Sequence, residues 1–210
     1  MEEKKKERII NNVVFFGYSM SKETDEEYIG AYESAKAVAQ TGRTVINGGG
    51  PGVMYAATKG AKDAGGKVSV VYYQPKQATQ FEGKAGISLA DEEHQEANYI
   101  DRTQKLLEMG DAYIIFNGGT GTVSEFAMAW AVAKLYFGHH KPLIFYGAFW
   151  QKIMNVFWEN MKVGEDSYRV FKYAITPEQV VQHLNDYEKL MYAHYVEGHQ
   201  CQGAECALFL

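Results

Sequence analysis

An apolar run from Ala112 to Phe116 stops at Asn117-Gly118-Gly119-Thr120-Gly121. An alanine-rich segment, Phe126 to Phe137, follows almost at once. A buried strand, a glycine turn and a helix start, in that order, form the repeating unit of a parallel sheet. The same order recurs along the chain. Asn12 to Phe16 reads as a strand, and Thr24 and Glu27 have capping-box spacing before a helix to about Gln40. Gly42 can end that helix. Thr44 to Asn47 is a strand running into Gly48-Gly49-Gly50-Pro51-Gly52, and a helix from Val53 to about Asp63 follows. Gly65-Gly66 turns the chain into a strand, Lys67 to Tyr73.

Asn98 to Met109 reads as a helix and Pro142 to Tyr146 as a strand. Phe149 to Met161 reads as an aromatic-rich helix and Phe171 to Ile175 as an edge strand. Thr176-Pro177-Glu178-Gln179 combines an N-cap, a proline at the first helical position and a capping glutamine. It opens a helix to about Met191. Gln74 to Ala97 is the irregular stretch, with a short strand expected at Ile87 and Leu89. Its length suits a binding lid or a plain surface loop equally. The pattern predicts one α/β domain over residues 12–191, a mostly parallel sheet with helices on both faces in three layers. Residues 1–11 and 192–210 are expected to be terminal extensions.

Composition narrows the function classes. The 210 residues carry 21 basic and 26 acidic side chains, a net charge of −5, which argues against a nucleic-acid partner bound by phosphate neutralisation. No apolar run is long enough to span a bilayer, and the charged start lacks a signal-peptide core. Cys201 and Cys206, both in the last ten residues, make no disulfide framework, so a cytoplasmic protein is expected. The six histidines show no metal-ligand spacing, and no metal site is expected.

Ligands of parallel sheets bind at the carboxyl ends of the strands. The loops starting at Gly17, Gly48 and Asn117 all lie there. Glycine lets backbone N–H groups approach an anion closely. Gly119-x-Gly121-x-x-Ser124 falls short of a dinucleotide fingerprint. That fingerprint needs an acid about 20 residues on, and Phe126 to Trp158 contains no Asp or Glu. A Walker-type loop is missing too. A phosphorylated small molecule remains. Thr122 and Glu125 have capping-box spacing of their own, so Glu125 reads either as a helix cap or as a site carboxylate. Arg102 precedes Asp111 by nine residues, and spacing alone does not place it at the same edge.

Two motifs together resemble the LOG ("Lonely Guy") family. Gly48-Gly49-Gly50-Pro51-Gly52-Val53-Met54, with Ala56-Ala57 after it, is similar to the family's Gly-Gly-Gly-Pro-Gly-Ile-Met-Glu-Ala-Ala. Asn117 to Glu125 is similar to its Pro-Gly-Gly-x-Gly-Thr-x-x-Glu. The resemblance implies a Rossmann-like homodimer that hydrolyses the N-glycosidic bond of a nucleoside 5′-monophosphate, such as a cytokinin riboside monophosphate, without a cofactor. It assigns catalysis to Arg102 and Glu125. Gly17, Ser19, Gly48, Gly49, Gly50, Gly52, Met54, Gly118, Gly119, Thr120, Gly121 and Thr122 would hold the substrate. Four positions differ from the family pattern. Tyr55 replaces a glutamate, Thr103 a lysine, Asn117 a proline and Ser124 a common second acid. Some relatives carry a lysine decarboxylase label, yet no lysine here sits in a pyridoxal-phosphate motif. Another branch of the superfamily carries molybdenum cofactor without turnover, and the same loops offer their cradle to a pterin phosphate.

Overall fold

The computed structural model describes residues 8–74, 85 and 87–197. Seven strands among them form one sheet: β1 (Asn12–Phe16), β2 (Thr44–Asn47), β3 (Val68–Tyr73), β4 (Glu92–Glu96), β5 (Ala112–Ile115), β6 (Leu143–Tyr146) and β7 (Phe171–Ala174). Their order is β4-β3-β2-β1-β5-β6-β7, and every neighbouring pair is parallel. Six α-helices cover the two faces: α1 (Glu26–Gln40), α2 (Val53–Asp63), α3 (Tyr99–Met109), α4 (Thr120–Leu135), α5 (Phe149–Asn160) and α6 (Pro177–Glu197). This is a three-layer Rossmann-like fold.

The apolar strands are continuous because both faces are buried. Val13 and Phe15 point into the core under α1, α2 and α6, where Ala31, Ala57 and Leu184 pack. Val14 and Phe16 point into the core under α3, α4 and α5, with Leu106, Phe126 and Trp150. Trp150 also donates its indole N–H to the Ile115 carbonyl at 3.0 Å, so its polar atom is satisfied inside that core.

The strand expected at Ile87 and Leu89 is instead a single 3₁₀ turn, Ile87–Leu89. The real strand of that region is β4, with the sequence Glu-Glu-His-Gln-Glu. Its mostly exposed edge position removes the apolar alternation that marks a strand. Backbone pairing to β3 holds it instead, from Ser69 against Glu92 to Tyr73 against Glu96. Asp91 sets that register. Its backbone N–H donates to the Val68 carbonyl, and its carboxylate accepts the Val68 N–H, both at 2.8 Å, with Lys62 Nζ on the other oxygen at 2.8 Å.

The first capping box does not form. Asp25 is the N-cap of α1, and Glu27 accepts the Ser21 hydroxyl at 3.0 Å instead of turning back to Thr24. The cap before α6 is made, in shifted form. Thr176 Oγ1 accepts the Gln179 N–H at 3.3 Å, while the Gln179 side chain reaches the Ile175 N–H at 2.8 Å. That helix runs on to Glu197, past the expected end near Met191. At the opposite end of the sheet, Glu188 from α6 accepts the N–H groups of Ile9 and Ile10 and pairs with buried Arg43 at 2.9 Å.

The hydrogen bond from Lys62, then that from the Val68 N–H, hold the Asp91 carboxyl below its ordinary value. A depressed folded pKa contributes stability above the unfolded value and loses it as pH falls through the folded one. Asp91→Asn should therefore lower stability by about 0.5–1 kcal/mol at about pH 7, a modest figure because the pair is half-exposed. Urea melts of both proteins at about pH 7 and about pH 3 check this. The gap should close in acid, and an equal gap at both would refute the assignment.

Candidate functional site

Strands β1 to β4 step outward in one direction and β5 to β7 in the other, so the winding reverses between β1 and β5. A crevice opens at the carboxyl edge of such a reversal. Three loops meet there and are stitched by backbone bonds. Tyr18 N donates to the Asn117 carbonyl and Val53 N to the Tyr18 carbonyl, both at 2.9 Å. Fully buried Asn47, the last residue of β2, shapes the middle loop. Its Oδ1 accepts the Gly49 N–H and its Nδ2 donates to Thr58 Oγ1, both at 2.8 Å. Gly52 caps α2 with a φ of 63°, and a side chain there would meet the Tyr18 carbonyl.

A cavity of about 570 Å³ lies over these loops. Of the residues singled out from the sequence, Gly17, Ser19, Gly48, Gly50, Met54, Arg102, Gly119, Thr120, Gly121, Thr122 and Glu125 line it. Gly49, Gly52 and Gly118 are not among its lining residues. A Cβ at Gly49 would meet Ile87 and Val70, one at Gly52 the backbone of Tyr18 and Ser19, and one at Gly118 the Thr122 side chain. Tyr55 is half-buried and packs against the core beneath α1 and α2.

Arg102 and Glu125 form a buried ion pair at 3.0 Å, their side chains only 9% and 8% exposed. Helix α3 leaves the carboxyl edge of β4, so its first turns, not its end, stand at the crevice. Asn98 fixes that start by accepting the N–H groups of Ile100 and Asp101 at 2.8 and 3.0 Å. Each guanidinium nitrogen of Arg102 has a partner. Nε donates to the Val71 carbonyl at 3.1 Å, Nη1 to Glu125, and Nη2 approaches Met54 Sδ at 3.6 Å. A Cβ on Gly48 would collide with Nη2, so a side chain there would push the guanidinium out of the position from which it meets these partners.

Glu125 does not cap α4. The helix begins at Thr120 with Gly119 as its N-cap and no side-chain cap bond. That places Glu125 in the second turn, facing Arg102 rather than the helix terminus. The cap position is left to glycine, and the first-turn residues Thr120, Gly121 and Thr122 line the cavity. The positive end of the α4 dipole lies there, which suits an anion. Arg102 is the basic side chain and Glu125 the acidic one that line the cavity among the described residues, so the fixed side-chain charge there cancels.

Sequence reasoning missed the aromatic wall formed by Tyr18, Tyr72, Tyr73 and Tyr99. Tyr72 and Tyr73 end β3 at the carboxyl edge. The strand-end rule that marked the three glycine loops marks them too, without a glycine to draw the eye. Tyr99 is the first residue of α3, and its ring stands edge-on to Tyr73, with centroids 6.0 Å apart. Burial, then the charge of Glu125, pushes its phenol above the ordinary value. Among the described residues no group of three His, Cys, Asp or Glu could hold a metal ion. No helix among them is long and apolar enough to cross a membrane. Cys201 and Cys206 lie outside the described residues.

Comparison with known proteins places this geometry. An uncharacterised protein of Archaeoglobus fulgidus is 35% identical over 126 residues, 60% of this chain and 79% of that one. The molybdenum cofactor binding protein of Rippkaea orientalis superposes with a TM-score of 0.63 at 21% identity, covering 85% of this chain and 97% of its own. The single-stranded DNA-binding DNA processing protein A of Helicobacter pylori gives 0.56 at 15% identity, over 85% of this chain and 82% of its own. At such identities the two structures show a shared fold and no more. The model of the SLOG cluster4 family matches residues 11–162, well over half of the sequence. The chain belongs to the SLOG cluster4 family.

Proposed function

We propose that this protein hydrolyses the N-glycosidic bond of a nucleoside 5′-monophosphate, releasing the free base and ribose 5-phosphate. The observation that carries the reading is the buried Arg102–Glu125 pair set beside a glycine-lined anion cradle in one cavity. The 5′-phosphate takes the N–H groups and hydroxyls at Thr120 and Thr122, with Gly119 and Gly121 letting it approach. This seats the ribose over Glu125. The C1′–N bond breaks with its electron pair going to the base, and positive charge builds on the sugar. A carboxylate beside that charge stabilises it or takes a proton from the attacking water, as in glycoside hydrolysis. Water supplies the hydroxyl at C1′, and its proton completes the departing base. Arg102 orients the carboxylate through a charge-assisted hydrogen bond.

A carrier reading has its own support. The likeness to a molybdenum cofactor binding protein and the complete pairing of Arg102 both suit a site that holds a phosphorylated ligand without changing it. Turnover separates the two. A panel of purine, pyrimidine and cytokinin monophosphates, assayed for ribose 5-phosphate, should show release with at least one of them. Tight binding across the panel with no release would replace the hydrolase by the carrier. Given turnover, Glu125→Gln should lower kcat by about 100-fold or more while the ligand still binds. Gly48→Ala should lower kcat/KM at least about tenfold, because the new methyl displaces the guanidinium that orients Glu125. Wild-type rates in Gly48→Ala would break the link between that loop and the ion pair.

The same reading expects a homodimer. Exposed Ile100, Val132 and Leu135 lie along α3 and α4, beside an apolar groove that a second copy would cover. Light scattering of the eluted protein should give twice the chain mass, and a monomer at every concentration tested would refute it.

A further inference from the structure

We propose that Tyr99 is a positioning residue of this site, holding through its hydroxyl the helical turn that aims Glu125. The hydroxyl lies 3.1 Å from the Gly121 carbonyl and 2.7 Å from Ser124 Oγ, and Ser124 Oγ lies 2.7 Å from the same carbonyl. Two hydroxyl protons serve this triangle. Either tyrosine donates to serine and serine to the carbonyl, or serine donates to tyrosine and tyrosine to the carbonyl. Both arrangements use both protons and fix the Gly121 carbonyl. In an α-helix that carbonyl accepts from the N–H four residues on, which is Glu125. Tyr99 therefore grips the carbonyl to which the Glu125 backbone is bonded.

The geometry makes a second rivet between two helix starts. Arg102 is one turn beyond Tyr99 on α3, and Glu125 is one turn beyond Gly121 on α4. The ion pair joins the far turns, and the tyrosine joins the near ones. The two rivets are adjacent, since the Arg102 guanidinium carbon lies 5.9 Å from the Tyr99 ring centre. Ser124 is essential to this arrangement. An acid at that position would bring a second negative charge to the first turns of α4, whereas serine accepts and donates within the triangle. The departure at Ser124 and the tyrosine opposite it thus form one device. A phenol keeps its proton at neutral pH, and burial pushes that of Tyr99 further above the ordinary value.

The rate arm of the test rests on the hydrolase reading, and the stability arm does not. Tyr99→Phe removes the hydroxyl and keeps the ring. With a monophosphate that is turned over, kcat should fall roughly tenfold because the carboxylate is mis-aimed, and KM should change less than kcat, because the Thr120 and Gly121 N–H groups precede the released carbonyl. Unchanged kcat, or a change confined to KM, overturns the proposal. Thermal melts of Tyr99→Phe, Glu125→Gln and the double variant form the second arm. The double variant should be destabilised by less than the sum of the two single shifts, since each removes part of one linked network. Additive shifts overturn the proposal whether or not any monophosphate is hydrolysed. Non-additive shifts in a protein without turnover leave Tyr99 as the residue that positions Glu125 and remove only the hydrolase reading.

Discussion

The site depends on one buried charge pair. Taking a guanidinium and a carboxylate out of water costs several kcal/mol per ion, and their attraction offsets this only when the remaining polar atoms are satisfied. Arg102 meets that condition through the Val71 carbonyl and the Met54 sulfur as well as Glu125. Those partners come from β3, α2 and α4, so four elements converge on one side chain. Removing either member of such a pair would leave the other buried and unmatched, a loss of about 3–5 kcal/mol. The missing side chain at Gly48 is part of the same constraint, because the guanidinium occupies the space a Cβ would take.

The fold was legible wherever burial imposed a pattern. Strands β1, β2, β3, β5 and β6 are buried on both faces, so their apolar runs stand out in the sequence. Strand β4 escaped because almost nothing about it is apolar. Its place depends on backbone pairing and on Asp91, a residue that looks like one more surface acid among its neighbours. The capping-box spacings were an uneven guide. The pair Thr176 and Gln179 does close a helix start, with the glutamine reaching one residue further back than expected. Thr24 and Glu27 fail because the neighbouring Asp25 takes the cap position. Thr122 and Glu125 fail because the cap of α4 lies three residues earlier, at Gly119. Spacing of three is common enough that a cap needs a second cue, such as the proline at position 177.

The candidate site divides in the same way. Glycine loops announce themselves, and the strand-end rule correctly brings the Gly17, Gly48 and Asn117 loops together. Arg102 carried no local signal. Its place at the crevice follows from the direction of α3, and that direction follows from β4, the strand that the sequence hid. With β4 in place, the helix after it must start at the carboxyl edge, and its fourth residue falls beside Glu125. The aromatic wall was hidden for a different reason. A tyrosine at a strand end or helix start reads as ordinary core or surface, and only the packed arrangement shows that four of them face one space.

On the proposed reading, because Arg102 and Glu125 cancel, the cradle would attract an anion through backbone N–H groups and a helix dipole rather than through a free side-chain cation among the described residues. That choice has consequences for selectivity. A lysine-lined pocket is a mobile point charge and accepts many anions. Fixed N–H groups demand that oxygens arrive at set positions, so they would select phosphate by shape. The glycines then have two separable duties. Those at Gly119 and Gly121 would admit the ligand, whereas Gly48 leaves room for the arginine. A chain that kept the first set and lost the second would still cradle a phosphate but would have no oriented carboxylate beside it. On that reading, the branch point between carrying a phosphorylated ligand and cleaving it would lie less in the cradle than in the hollow at Gly48 and the carboxylate it serves.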